Sequence, residues 1–292
     1  MRRLFGYLIA LLGGCFSLGT LAETSTYLVE VRAVSPERTG EYYVILLNMI
    51  LAASKKPNEV IDLRLSDRQF TQARWIAEVQ TGRYNEVMWT TTSKEREQLL
   101  HAIRVPIFRG LLGRRFLVIR RQDEAIFAQI NTKQDLATVI AGQGAHWSDA
   151  DILEANGLLV TSGSGKETLY RMLKAGRFDY FPRGVIEIAS ETNFLQENDL
   201  IVEKHLMLSY TMPIYFFVNK DNVELTERLE RGWRIILKNG EFDKFFFNHP
   251  RIKTAIAELK KYKRNIIQLD NPFLPDDLPL DHPEYWLDVS KY

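Results

Sequence analysis

Residues 76–107 constrain this chain more than any other stretch, because they spell out a complete passage from helix to strand to helix. A helix carrying Ile76 and Ala77 has to stop at Gly82, the residue type that tolerates left-handed backbone just past a helix end. Glu86 to Trp89 reads as a short apolar strand. Thr90, Thr91, Thr92 and Ser93 then place a run of hydroxyls at its exit, and a new helix starts with Glu95 and Arg96 in its first turn. A helix start offers free backbone N–H groups and the positive end of a dipole. The turn is therefore a candidate for holding a small ligand, with Arg96 as the cation beside it.

The same alternation extends in both directions. Residues 27–34 alternate and are rich in Val, as a strand is; Tyr42 to Ala53 is apolar except at Asn48, as a helix buried on most sides is. Val60 to Leu65 is a second strand, and Ser66 with Gln69 forms a capping box for the helix that leads to Gly82. The first hundred residues thus predict an α/β chain with parallel strands.

Further along, strands are expected at 116–119, 139–141, 158–160 and 178–181, with a short helix or turn at Asp135-Leu136. A glycine turn at 142–148 leads into a helix stopping at Asn156-Gly157, and Ser164 with Glu167 caps the next helix, which stops at Gly176. Residues 206–218 form one strand or two, broken at Pro213; helices follow at 223–238, 241–247 and 250–264. Four prolines in 271–292 predict an extended C-terminal arm. Residues 79–85 and 173–179 share one grammar: a helix end, Gly, a basic residue, an aromatic, then Asn or Asp. The repeat points to two lobes, although residues 237–243 carry the same spelling between two helices.

The 38 basic and 37 acidic side chains argue against a dedicated nucleic-acid binder. The N-terminus has the form of a secretory signal peptide over 1–22: Arg2 and Arg3, apolar Leu4 to Leu12, and the cleavage site Thr20-Leu21-Ala22. Its removal leaves 36 basic side chains against 37 acidic ones. Cys15 follows Leu12-Gly13-Gly14 as in a lipoprotein box, but simple cleavage after Ala22 is favoured, and a single Cys allows no internal disulfide. No later stretch is apolar for the roughly 18 residues that span a bilayer. The five His residues stand singly, without zinc spacing. Residues 163–167 resemble a phosphate loop only superficially: Val160 stands where its first Gly belongs, and Glu167 where Ser or Thr would hold magnesium. No Gly-x-Ser-x-Gly elbow is present. Neither a cofactor nor a metal is expected.

The motifs in order, Gly82-Arg83-Tyr84-Asn85, then Thr90 to Arg96, then Val105-Pro106-Ile107, resemble the extracellular solute-binding proteins of family 3, which serve polar amino-acid uptake in the periplasm. Asp135-Leu136, the turn 142–148, the segment 173–179 and the helix 223–238 extend the resemblance over roughly residues 27–250. It implies a type II periplasmic binding fold: two α/β lobes, each a mainly parallel sheet flanked by helices, joined by crossings near 117–121 and 205–211. The expected organisation is lobe 1 over 23–119, lobe 2 over 120–207, a return to lobe 1 over 208–269 and the arm over 270–292.

The resemblance also implies site residues. Arg96 matches the arginine that grips a ligand carboxylate, and Trp89 and Thr91 match contact positions on the same wall. Ala145 and His146 match the second lobe's turn. The acid that would take a ligand's amino group falls at Gly184, beside Arg183, unless Glu187 substitutes for it. A cleft with Arg96 and Arg183 and no matched acid suits a small anionic or atypical amino-acid-like ligand. Each candidate has a plainer reading: a surface ion pair with Glu95 or Glu97 for Arg96, a solvated turn for Arg183, a hydrogen-bonded turn for His146, lobe core for Trp89.

The function implied is non-enzymatic ligand capture by a monomer, for an inner-membrane permease or a sensor kinase. The alternative on the same scaffold is a dehydratase of cyclohexadienyl acids, which would need Glu187 or Glu37 as its acid.

Overall fold

The computed structural model describes residues 24–32, 41–66, 71–188 and 190–292. The signal peptide, Cys15, Glu37 and Gln69 lie outside the described residues. The first sheet contains β1 (Ser25–Arg32), β2 (Glu59–Ser66), β3 (Glu86–Thr91) and β4 (His101–Ile103). Between these strands run α1 (Glu41–Ala53), α2 (Gln72–Gln80) and α3 (Lys94–Leu99). The second sheet contains β5 (Arg114–Arg120), β6 (Ile140–Gly144), β7 (Leu159–Gly163), β8 (Tyr180–Gly184), β9 (Leu200–Val202) and β10 (Leu206–Ser209). Its helices are α4 (Glu124–Phe127), α5 (Lys133–Leu136), α6 (Ser148–Ala155), α7 (Lys166–Lys174), α8 (Val185–Ile188) and α9 (Thr192–Glu197). The chain then gives β11 (Ile214–Val218), α10 (Val223–Lys238), α11 (Glu241–Asn248), α12 (Pro250–Lys261) and β12 (Asn265–Gln268).

The strand orders are β2-β1-β3-β11-β4 and β12-β10-β5-β8-β6-β7, with β9 also on β5. The pairings give each sheet one strand that runs against the rest: β11 is antiparallel to β3 and β4, and β5 is antiparallel to β8, β9 and β10. One carries the chain into the second sheet and the other carries it back. β11 is also buried on both faces. Phe216 and Val218 join the main core, whereas Tyr215 and Phe217 pack with Trp75, Val79 and Met88 under α2. That is why its sequence, Ile-Tyr-Phe-Phe-Val, is apolar without alternation.

Three expectations need correction. All of β5 lies in the second sheet, so the crossings fall at 104–113 and 210–213 rather than near 117–121 and 205–211. Residues 250–268, expected with the return to the first lobe, instead join the second: α12 packs on α8, and β12 pairs in parallel with β10. α2 begins at Gln72 with Thr71 as its cap, and α7 has Gly165 at its cap without a side-chain bond, because the Ser164 hydroxyl turns to Thr168 at 3.4 Å. The glycine stops hold, with φ of +62° at Gly82 and +69° at Gly176.

The C-terminal arm spans the gap between the sheets. The Leu269 and Asp270 N–H groups donate to the Ser209 carbonyl and Asn156 Oδ1, on the second-lobe side. The Lys94 N–H then donates to the Phe273 carbonyl at 2.9 Å, Asp277 pairs with Arg104 at 2.8 Å, and the Leu287 N–H donates to the Arg109 carbonyl at 2.9 Å, all on the first.

α10 crosses α1 at Gly232, where an added Cβ would stand 2.1 Å from the Ile50 carbonyl oxygen. Gly232→Ala should cost about 1–3 kcal/mol of stability despite alanine's better helix propensity, because the helices must part. Urea unfolding of the variant checks this.

Candidate functional site

Between the sheets lies a cavity of about 560 Å3. A second, of about 590 Å3, lies beneath the arm, but its Arg104 and Arg109 are already paired with Asp277 and Asp243.

The first wall of the central cleft comes from the end of β3. Trp89 lines the cavity and stacks on Tyr43, with ring centroids 4.7 Å apart and an interplanar angle of 8°. Thr90 and Thr91 follow it on the same wall. The Ser93 hydroxyl caps α3 by accepting the Arg96 N–H at 3.2 Å, which turns the Arg96 side chain back toward the strand. Its Nη1 donates to the Thr91 carbonyl at 2.8 Å and hydroxyl at 2.9 Å. Both terminal nitrogens reach the Ser148 hydroxyl, on the opposite wall, at 3.4 Å. Burial lowers the Arg96 pKa from its ordinary value while Glu95 and Asp151 oppose that, and a guanidinium remains charged regardless. Among the described residues, none of the groups it bonds is a carboxylate.

The second wall is displaced from the expected turn. β6 runs on to Gly144, and the Trp147 ring folds back over that glycine, where a Cβ would come within 2.4 Å of the ring. Ala145 and His146 are therefore exposed and outside the cavity lining, and the wall is made by Trp147, Ser148 and Asp149.

Arg183 lies in the wall at 6% exposure. It is held by Glu191, with Nη2 to Oε1 at 2.7 Å and Nε to Oε2 at 3.1 Å, and by Glu187 at 3.0 Å. Burial alone would lower its pKa, but Glu187 and Glu191 raise it above its ordinary value. Arg115 on β5 is equally enclosed: Nη2 meets Asp149 at 2.7 Å, Nη1 meets Glu187 at 3.2 Å, and Nε donates to the Tyr210 hydroxyl at 3.0 Å. Tyr210 in turn donates to Asp149, and Tyr170 to Glu191 at 2.6 Å. Burial pushes the Glu187 carboxyl up, but Arg183, Arg115 and the Gly184 N–H, at 2.7 Å, outweigh it and hold the group below the usual carboxylate range.

This network explains the glycine found where an acid was expected. Gly184 lies opposite Arg115 in the β5–β8 register, and a Cβ on it would stand 2.9 Å from both Arg115 Nη1 and Glu187 Oε2. The acids come from α8 and beyond it, at 187 and 191, so the cleft does contain the carboxylates that position 184 lacks.

Of the residues named from the sequence, Trp89, Thr91 and Arg183 line the cavity, Arg96 reaches it at the Thr91–Ser148 end, and Ala145 and His146 stay outside. Sequence reasoning missed Arg115, Asp149, Lys166, Glu191 and Arg251. The only local sign was the spacing of Arg183, Glu187 and Glu191 at four-residue intervals.

No protein-family model matches the sequence, and no curated protein does either. Solved structures do resemble it. An ancestral arginine-binding protein bound to arginine has 17% identity and a TM-score of 0.52, over 76% of this chain and 96% of that one. The amino-acid ABC transporter substrate-binding protein AbpA of Streptococcus pneumoniae Canada MDR_19A, bound to L-arginine, has 16% identity and a TM-score of 0.53, over 79% and 96%. A double mutant of the BvgS VFT2 domain of Bordetella pertussis has 15% identity and a TM-score of 0.57, over 76% and 91%. Two sheets with one reversed strand each, a cleft between them and these likenesses make this the two-lobed fold of the type II periplasmic binding proteins.

Proposed function

We propose that this chain is a non-enzymatic solute-binding protein of the periplasm, related to family 3, that closes its cleft on a small anionic or amino-acid-like ligand. The observation that carries the reading is Arg96: a half-buried guanidinium between the two walls, bonded among the described residues only to neutral acceptors on Thr91 and Ser148. Such a cation favours an arriving carboxylate, and because the Ser148 wall already stands within 3.4 Å of it, the lobes would part by hinge bending to admit the ligand and close again on it. The cleft volume, about 560 Å3, is in the range of small-molecule sites. Glu187 argues for binding over dehydration: a carboxyl held ionised between two arginines is a poor general acid. Delivery to an inner-membrane permease and signalling to a sensor kinase both fit, since the fold neighbours include a transporter's binding protein and a BvgS domain.

Calorimetric titration with a panel of small acids and amino acids tests the proposal. Arg96→Met should weaken the binding of any captured acid by about 10- to 100-fold, the worth of a hydrogen-bonded charge pair, while the unfolding midpoint stays close to wild type. Undiminished affinity in that variant would reject Arg96 as the anion grip.

A further inference from the structure

Among the described residues, the ion pairs of the second wall leave one cation without a partner: four acids and four bases line the cavity, but the pairing among them is uneven. Asp149 is taken up by Arg115 and Tyr210, Glu187 by Arg183, Arg115 and the Gly184 N–H, and Glu191 by Arg183 and Tyr170 with Lys166 at 3.9 Å. These three are all the lining carboxylates but one; the remaining acid, Glu167, is exposed. No buried carboxylate is therefore free to receive a ligand's ammonium group without breaking an internal ion pair.

One lining cation is left over. Arg251 sits half-buried in the first turn of α12, where a positive charge opposes the helix dipole. Among the described residues its guanidinium makes no salt bridge, and Glu187, an acid on which it exerts an electrostatic influence, is already shared by two other arginines. Arg96 likewise has no carboxylate partner among the described residues, and it is bonded to Thr91 and Ser148, which line the same cavity.

We infer that the cleft takes a short dicarboxylic acid lacking an ammonium group, one carboxylate on Arg96 and the other on Arg251. The inference rests on the cleft-binding reading above and adds the ligand class. A dicarboxylate gives each of the two guanidinium groups a carboxylate partner, whereas an α-amino acid brings an ammonium that would find neutral acceptors such as Gln143 Oε1 but no free buried carboxylate. Specificity arises from both elements, the matched anions and the ammonium left without a counter-ion.

The test is calorimetry on the full purified chain with succinate, glutarate and adipate, L-glutamate as the amino analogue of glutarate, and butyrate as the monoacid. The expected result is that one dicarboxylate binds at least about ten-fold more tightly than L-glutamate and butyrate. Arg251→Gln should erase its advantage over butyrate, and Arg251→Lys should keep part of it. The Lys variant carries the test if the Gln variant fails to fold, as judged by circular dichroism. Tighter binding of L-glutamate than of glutarate overturns the inference, as does a dicarboxylate affinity that ignores Arg251 in a folded variant. Either result leaves anion capture by Arg96 standing. Failure of all five acids to bind overturns the inference and leaves the wider cleft-binding reading to the titration with other amino acids.

Discussion

Replacing Arg115 by methionine should lower the unfolding free energy by about 3–5 kcal/mol, the scale expected when one member of a buried ion pair is removed. Arg115 is 3% exposed and Asp149 is 6% exposed. Without the guanidinium, Asp149 keeps only the Tyr210 hydroxyl among the described residues, so a charge stays buried with one neutral donor. Glu187 suffers less, because Arg183 and the Gly184 N–H still hold it. The double variant Arg115→Met with Asp149→Asn should recover part of the loss, since it removes the stranded charge as well. Arg115→Lys should not rescue: one ammonium cannot reach Asp149, Glu187 and Tyr210 as the planar fork does. Urea unfolding of the three variants measures all of this.

The second large effect belongs to the first lobe. Arg228 on α10 is fully buried and makes two parallel bonds to Glu59 at the start of β2, at 2.7 and 2.8 Å. The Tyr27 ring lies under the guanidinium at 3.9 Å. Glu59→Gln should cost about 3 kcal/mol near neutral pH by leaving the buried Arg228 with only the exposed Glu224, at 3.5 Å, as its counter-charge. The pair also predicts a pH signature. Its hydrogen bonds to Arg228 hold the Glu59 carboxyl at about 2, below its ordinary 4.5, against the opposing effect of burial. A carboxyl depressed in the folded state stabilises fully above the unfolded value, and that stability is lost as pH falls through the folded one. The wild-type advantage over Glu59→Gln should therefore be constant above about pH 5 and shrink between 4.5 and 2. Urea midpoints across that range check the prediction; an advantage that persists unchanged at the acid end would assign the cost of the substitution to something other than charge.

What was legible in the sequence follows from how local each determinant is. α10 runs over 223–238 as expected, because Asn222 caps it through the Leu225 N–H and Asn239-Gly240 ends it, all within a few residues of the helix. The passage from Gly82 through β3 to Arg96 was readable for the same reason. The second wall was not. It depends on β6 continuing to Gly144, and on a Trp147 ring whose place is set by Phe181, stacked 6.2 Å away in another strand. The ion network joins positions 115, 149, 187 and 210, and no spacing along the chain reveals which acid meets which arginine. β12 was unreadable too: four residues, Asn-Ile-Ile-Gln, become a strand only because the β10 edge is open to them. Arg251 passed unnoticed because its spacing places it on an ordinary helix, and only the packing of α12 on α8 brings it to the cleft.

The reversed strand of the first sheet also bears on the order in which the protein can be built. β11 stands between β3 and β4, yet β4 ends at residue 103 and β11 begins at 214. A growing chain that has produced the first four strands has an interior gap, with Met88 and Ala102 uncovered until Phe217 arrives beside them. The second sheet waits for β12, at 265–268, to cover its own edge. Neither half can finish as an independent unit during synthesis, so the two lobes must form late and together. Until then the nascent chain carries unpaired strand edges that need protection from one another.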